Sequence, residues 1–221
     1  MAELTGLGRR RYYDPRDRAH KLTPEKTATT RKMWLAPPVL DQGATSSCVG
    51  HSLRSWLSAG PICNKGGPDA FKLYELAQQS DEWEGQEPDY EGSSVRGGMK
   101  ALQALGLVSA YKWAFTLEDV VNQLLTASPM AVGTDWHYSM FQPDRWNYIW
   151  TGGGNAGGHA WLLTGADKLK KNPDGSQGAV RAQNSWGTGF ADKGRFWVSF
   201  GELEKLIKAD GEAAVAVETK A

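Results

Sequence analysis

Apolar positions recur at helical spacing in the first half of the chain and in short strand-length runs in the second. Val49, Leu53, Trp56 and Leu57 form one helix face within SCVGHSLRSWLSA, with Ser46 or Ser47 able to cap it and Gly60-Pro61 to end it. A second short helix is predicted from Phe71 to Gln79 and a third from Ser94 to Leu105, stopping at Gly106. Thr116 caps a fourth, Leu117 to Leu125, whose first turn carries Glu118 and Asp119 as the helix dipole prefers. Beyond Pro129 the pattern changes to strands: Met130–Asp135, His159–Gly165, Ala179–Ser185 and Arg195–Phe200, with a turn at Asn172-Pro173-Asp174-Gly175. The polar, acidic stretch from Ser80 to Gly92 reads as a surface loop. A helical first half facing a β-rich second half is an α+β protein.

At 221 residues the chain is long enough for one sizeable domain with a real core. Lys plus Arg and Asp plus Glu both number 25, so the formal charge is zero and a strongly basic nucleic-acid binder is disfavoured. No apolar run reaches membrane-spanning length, and Met1–Arg11 has charge but no apolar segment behind it. The expectation is a chain with no secretory signal, cytoplasmic in a bacterial or viral source, binding neither membrane nor nucleic acid. Two cysteines, Cys48 and Cys63, exclude a disulfide framework. The N-terminal region is basic (Arg9, Arg10, Arg11, Arg16, Arg18) and lacks periodicity; it reads as a solvated arm over the domain or a docking arm for a partner.

Cys48 falls at a helix N-terminus, where the macrodipole favours a thiolate. A thiol nucleophile needs a base. His20 lies in the basic arm and reads as exposed and idle, His51 shares the helix of Cys48 and reads as a core or subsite-lining residue, and His137 sits among aromatic residues and reads as packed. His159 follows Gly157-Gly158, which leave room for a substrate, and opens a strand. Asn184, on the next strand, can accept the imidazole N–H, with Trp186 covering that bond. Gln42, with the Cys48 backbone N–H, can supply two donors to an oxyanion. No His/Cys cluster has zinc spacing, Thr151–Asn155 lacks the ending of a phosphate loop, and Asn172–Gly175 lacks calcium-loop ligands, so no metal or cofactor is expected.

Asp41-Gln42-Gly43 with Ser47-Cys48, Gly158-His159-Ala160, and Asn184-Ser185-Trp186-Gly187 with Lys193-Gly194 together resemble the papain-like cysteine peptidases (the C1 family). Pro37-Pro38-Val39 and the stretch Glu91–Leu102 look closest to its bacterial and viral branch. The resemblance implies a two-lobed fold with the cleft between lobes: an arm over 1–35 and a domain over 36–221, with a helical lobe at about 40–128 and a β lobe at about 129–210. It implies Cys48 as nucleophile, His159 as base and later acid, Asn184 as its orienter and Gln42 as oxyanion donor, working through a thiolate–imidazolium pair. Gly92 and Ser93 would pair with an extended polypeptide substrate beside Trp186. Gly133 and Gly158 would line the subsite for the second residue before the scissile bond. Their two missing side chains suggest room for a large apolar or aromatic residue. His159 follows Cys48 more closely than the roughly 130–150 residues usual in papain, so trimmed connections are expected.

Three features depart from the family pattern. Thr45 replaces the cysteine that usually precedes the nucleophile by three, so no disulfide is expected. Ser93 stands where a second glycine is common. No long inhibitory segment precedes the domain, so control would fall to the arm, the acidic loop or a partner. The implied function is a cysteine endopeptidase. The rivals are an amidase, deamidase or transpeptidase using the same site, or a structural or binding protein on the same scaffold.

Overall fold

The structure, a computed structural model, describes residues 6–83, 91–209 and 211–219. Most of the acidic stretch (84–90) lies outside them. Five helices, α1 (Cys48–Ser58), α2 (Ala70–Ser80), α3 (Val95–Ala104), α4 (Leu117–Thr126) and α5 (Phe200–Lys208), pack around one antiparallel sheet. Its strands are β1 (Arg31–Met33), β2 (Val108–Ala114), β3 (Met130–His137), β4 (Asn155–Lys171), β5 (Gln177–Gln183), β6 (Arg195–Ser199) and β7 (Glu212–Thr219). The order is β2-β7-β3-β4-β5-β6, with β1 added along the distal part of β4.

Strand alternation divides the core. On β4, Ala160 and Leu162 face a cluster built on α1 with Leu53, Trp56, Leu57, Leu73, Met99 and Leu102. Trp161 and Leu163 face the opposite way, into a cluster with Leu124, Met130, Phe196, Leu203 and Leu206. Helix α1 is thus clamped between β4 and helices α2 and α3. Ser52 Oγ donates to Trp161 O at 2.9 Å, and Trp56 Nε1 to Pro129 O at 3.1 Å. These bonds fix where the N-terminus of α1 stands relative to β4.

The helical and β-rich halves interlock at the sheet: β2, from the first half, pairs with the C-terminal β7, and α4 packs into the core on the far side of the sheet. The N-terminal region lies over the domain with most of residues 11–33 exposed, and a few contacts anchor it. Arg9, Asp14 and Leu22 are buried, β1 joins the sheet, and Arg96 of α3 donates to both Asp14 and Asp17. A 3-10 turn, Pro15–His20, is capped by Asp14 through Arg16 N. These contacts lead the chain toward the N-terminus of α1.

Candidate active site

Cys48 opens α1, as its spacing predicts, but neither serine caps the helix by side chain. Ser47 Oγ instead lies 2.6 Å from Thr45 Oγ1 and 3.1 Å from His51 Nδ1, and Ser46 Oγ donates to Glu91. The Cys48 sulfur accepts from Ala160 N at 3.4 Å, so the β4 backbone carrying His159 also holds the thiol.

His159 Nε2 lies 2.7 Å from Asn184 Oδ1. That oxygen also accepts from Ser185 N at 2.8 Å. A backbone N–H can only donate, so the atom is the amide oxygen, and Nε2 must carry the imidazole proton. Nδ1 is therefore the free base, and it has no hydrogen-bond partner among the described residues. The β4–β5 hairpin makes this meeting possible: Leu162 pairs with Gln183, which places Asn184 beside His159. Trp186 lies 4.7 Å from the His159 ring, and Trp136 approaches it edge-on at 4.9 Å.

Gln42 is held from both ends. Its Nε2 donates to Thr45 O at 2.8 Å, and its Oε1 accepts from Ser185 Oγ at 2.6 Å. One amide hydrogen remains for an oxyanion. Thr45 Oγ1 also donates back to Gln42 O at 2.7 Å. The residue that replaces the expected cysteine thus ties this turn by hydrogen bonds. Cys48 and Cys63 are both free thiols, the first buried and the second exposed.

The N-terminal segment crosses this site. Gly8 N and Arg9 N both donate to Gly158 O, at 2.9 and 3.0 Å. Arg10 N donates to Ser93 O at 2.8 Å, and Ser93 N donates to Gly8 O at 2.9 Å, a parallel bridge centred on Arg9. Trp186 Nε1 donates to Gly6 O at 3.0 Å. A Cβ on Gly92 would stand 2.1 Å from Gly8 O, and one on Gly158 2.1 Å from Arg9 O. A Cβ on Gly133 would stand 3.1 Å from Arg9 Cγ. All five positions expected to bind a polypeptide therefore touch residues 6–10 of the chain itself. Ser93 leaves the backbone strip intact because its Oγ turns away, to Asp81 Oδ2 at 2.9 Å.

Enclosure sets the electrostatics. Cys48 and His159 are fully buried. Burial pushes the thiol up to about 12, against hydrogen bonds from Ala160 and Val49 that favour the thiolate. Burial also lowers the imidazole to about 4, against the bond to Asn184. Enclosure thus works against charging either group. No hydrogen bond joins the sulfur to His159 among the described residues.

No protein-family profile matches the sequence, and no curated protein does. Solved structures do match. Xylellain, a cysteine protease from Xylella fastidiosa, superposes with a TM-score of 0.71 at 19% identity, over 96% of this chain and 94% of that one. Procathepsin B of Trypanosoma congolense gives 0.64 at 15% identity, over 100% and 85%. A structure from the mite allergen pair Blo t 1 and Der p 1 gives 0.60 at 14%, over 87% and 72%. The fold is that of the papain-like cysteine proteases.

Within this papain-like fold several residues around the site carry no separate signal in the sequence. Ser185 holds both Gln42 and Asn184, Trp136 packs on His159, and Asp81 orients Ser93. Ser185 lies inside the Asn-Ser-Trp motif, which is the one hint available. His51 is buried on α1, bonded to Ser47 and edge-on to Phe71, which agrees with a structural reading.

Proposed function

We propose that the chain is a cysteine endopeptidase held closed by its own N-terminal segment. One observation carries the reading. Cys48, His159, Asn184 and Gln42 converge at a single point, beside a strip of backbone that binds an extended peptide. Once residues 6–10 leave, water and substrate reach the thiol, and the cost of charging Cys48 and His159 falls. The thiol proton passes to His159 Nδ1. The sulfur attacks the peptide carbonyl, and the free hydrogen of Gln42 Nε2 with the Cys48 N–H receives the oxyanion. His159 returns the proton to the leaving amine, and water then releases the acyl group from sulfur, restoring the thiol.

The test is intact mass after brief alkylation, followed by digestion of a peptide library. In the wild-type chain Cys63 is expected to react first and Cys48 slowly. Displacing the arm should bring Cys48 into reaction and release cleaved peptides. Cys48→Ala should lower turnover by several orders of magnitude. An open, alkylatable Cys48 with no cleavage product of any kind would sink the peptidase reading. Transfer products or released ammonia would favour a transpeptidase or an amidase.

A further inference from the structure

The 3-10 turn Pro15–His20 leaves a cleft of about 360 Å³ between itself, α3 and β2. Arg16 and His20 line it from the turn, Arg96 and Lys100 from α3, and Tyr111 from β2. Four of the lining side chains are basic and none is acidic. The cations of the turn therefore face those of α3 across the gap, with no carboxylate on the walls to separate them.

The acidic groups nearby are engaged behind the walls. Asp14 accepts from Arg16 N and Nε and from Arg96 Nη1, and Asp17 accepts from Arg96 Nη2. Glu82 accepts from Ser94 Oγ at 2.7 Å through one oxygen. Its other oxygen stands 3.7 Å from Lys100 Nζ and 3.9 Å from Arg96 Nε, beyond hydrogen-bond reach. Arg96 Nε, on a side chain 9% exposed, has no hydrogen-bond partner among the described residues. A buried guanidinium donor without an acceptor is costly. Burial also pushes the Tyr111 phenol up, which keeps its hydroxyl a donor.

Donors thus converge on one space from three elements and from opposite walls. A tetrahedral oxyanion with more than one charge presents acceptors in several directions, whereas a carboxylate presents them in one plane. Two of the cations belong to the turn and two to α3, so an anion between them bridges the two and binds only while the turn is docked. By linkage it then favours the docked turn. We propose that this cleft binds a multivalent phosphate-type anion through Arg16, His20, Arg96 and Lys100, and that the anion clamps the root of the N-terminal segment onto the domain. The site stands whether or not the peptidase reading does.

The probe is pyrophosphate, titrated by calorimetry into the full chain at an ionic strength held constant with sodium chloride. One-to-one binding is expected. Lys100→Gln and His20→Gln should each weaken it about tenfold by removing one charge-assisted hydrogen bond. Lys100→Arg, which keeps the charge, should bind as the wild type does, as should Lys168→Gln, which lies outside the cleft. Clamping is read separately, from trypsin cleavage after Arg18, inside the turn, which requires the turn to open. At about ten times the wild-type Kd, pyrophosphate should slow that cleavage about tenfold in the wild type and about twofold in Lys100→Gln. Absence of pyrophosphate binding, or binding that Lys100→Gln and His20→Gln leave as tight as before, would overturn the proposal. Equal losses in Lys100→Gln and Lys100→Arg, or cleavage that pyrophosphate does not slow, would overturn it as well.

Discussion

The proton on His159 sits where it does because of a neighbour outside the reacting set. Ser185 N donates to Asn184 Oδ1, which fixes the amide orientation, which in turn fixes the imidazole tautomer. Asn184→Ala removes the last link, and the ring is then free to rotate under Trp186. Misplacement of that kind predicts a fall in kcat of about 100-fold with KM little changed, read from steady-state kinetics on an arm-displaced chain. A change confined to KM would assign Asn184 to substrate binding. Gln42→Ala removes an oxyanion donor and predicts a fall of about 100–1,000-fold in kcat. That Gln42, Cys48, His159 and Asn184 meet was legible in the sequence, because the proposed acyl transfer calls for those residue types together. The parts of Ser185 and Trp136 were not, since each acts through a contact across the fold that local pattern does not encode.

At the scale of elements, residues 6–10 behave as an added strand whose place depends on the absence of side chains. A Cβ on Gly8 would stand 2.0 Å from Ser46 O, a backbone atom that cannot swing aside. Gly8→Ala should therefore lift the segment while leaving the domain folded, tethered as it is through Arg96 to Asp14 and Asp17. The expected result is faster alkylation of Cys48 by intact mass with an unchanged rate at Cys63. Equal acceleration at both thiols would point to general loosening, and no acceleration would mean that the segment does not limit access. The helices α1 to α4 and the strands β3 to β6 were legible from periodicity and caps. Strand β7 was not, because Ala213, Ala214 and Ala216 give it the composition of a helix, and pairing with β2 and β3 decides its state. Three-residue β1 is too short to show alternation. Helix α5 was within reach: Ser199 caps it through Glu202 N, and Leu203, Leu206 and Ile207 keep helical spacing.

For the whole molecule, burying titratable groups of opposite kinds makes stability respond to pH in compensating ways. His159 falls from 6.5 to about 4 in the folded chain, so between those values the unfolded chain holds the extra proton, and stability rises with pH. Glu212 rises from 4.5 to about 7, so between those values the folded chain holds the extra proton, and stability falls with pH. Each shift is on the order of 3 kcal/mol for these enclosed groups, and their windows overlap from 4.5 to 6.5. The two slopes oppose each other there, and His51, whose imidazole burial also lowers, adds to the rise, so the melting temperature should climb only shallowly across the overlap. Glu212→Gln removes one slope. Its melting temperature should then rise with pH over the same range, by roughly 6–12 °C for a domain of this size. Above pH 9 Cys48, raised from 9.0 to about 12, and the buried tyrosines, Tyr148 above all, both make stability fall as pH climbs, and Cys48→Ala should lessen that fall. A melting profile of Glu212→Gln that stays flat between 4.5 and 6.5 would mean that His159 takes up its proton without unfolding. That in turn would require water to enter the site beneath residues 6–10 while the segment remains in place.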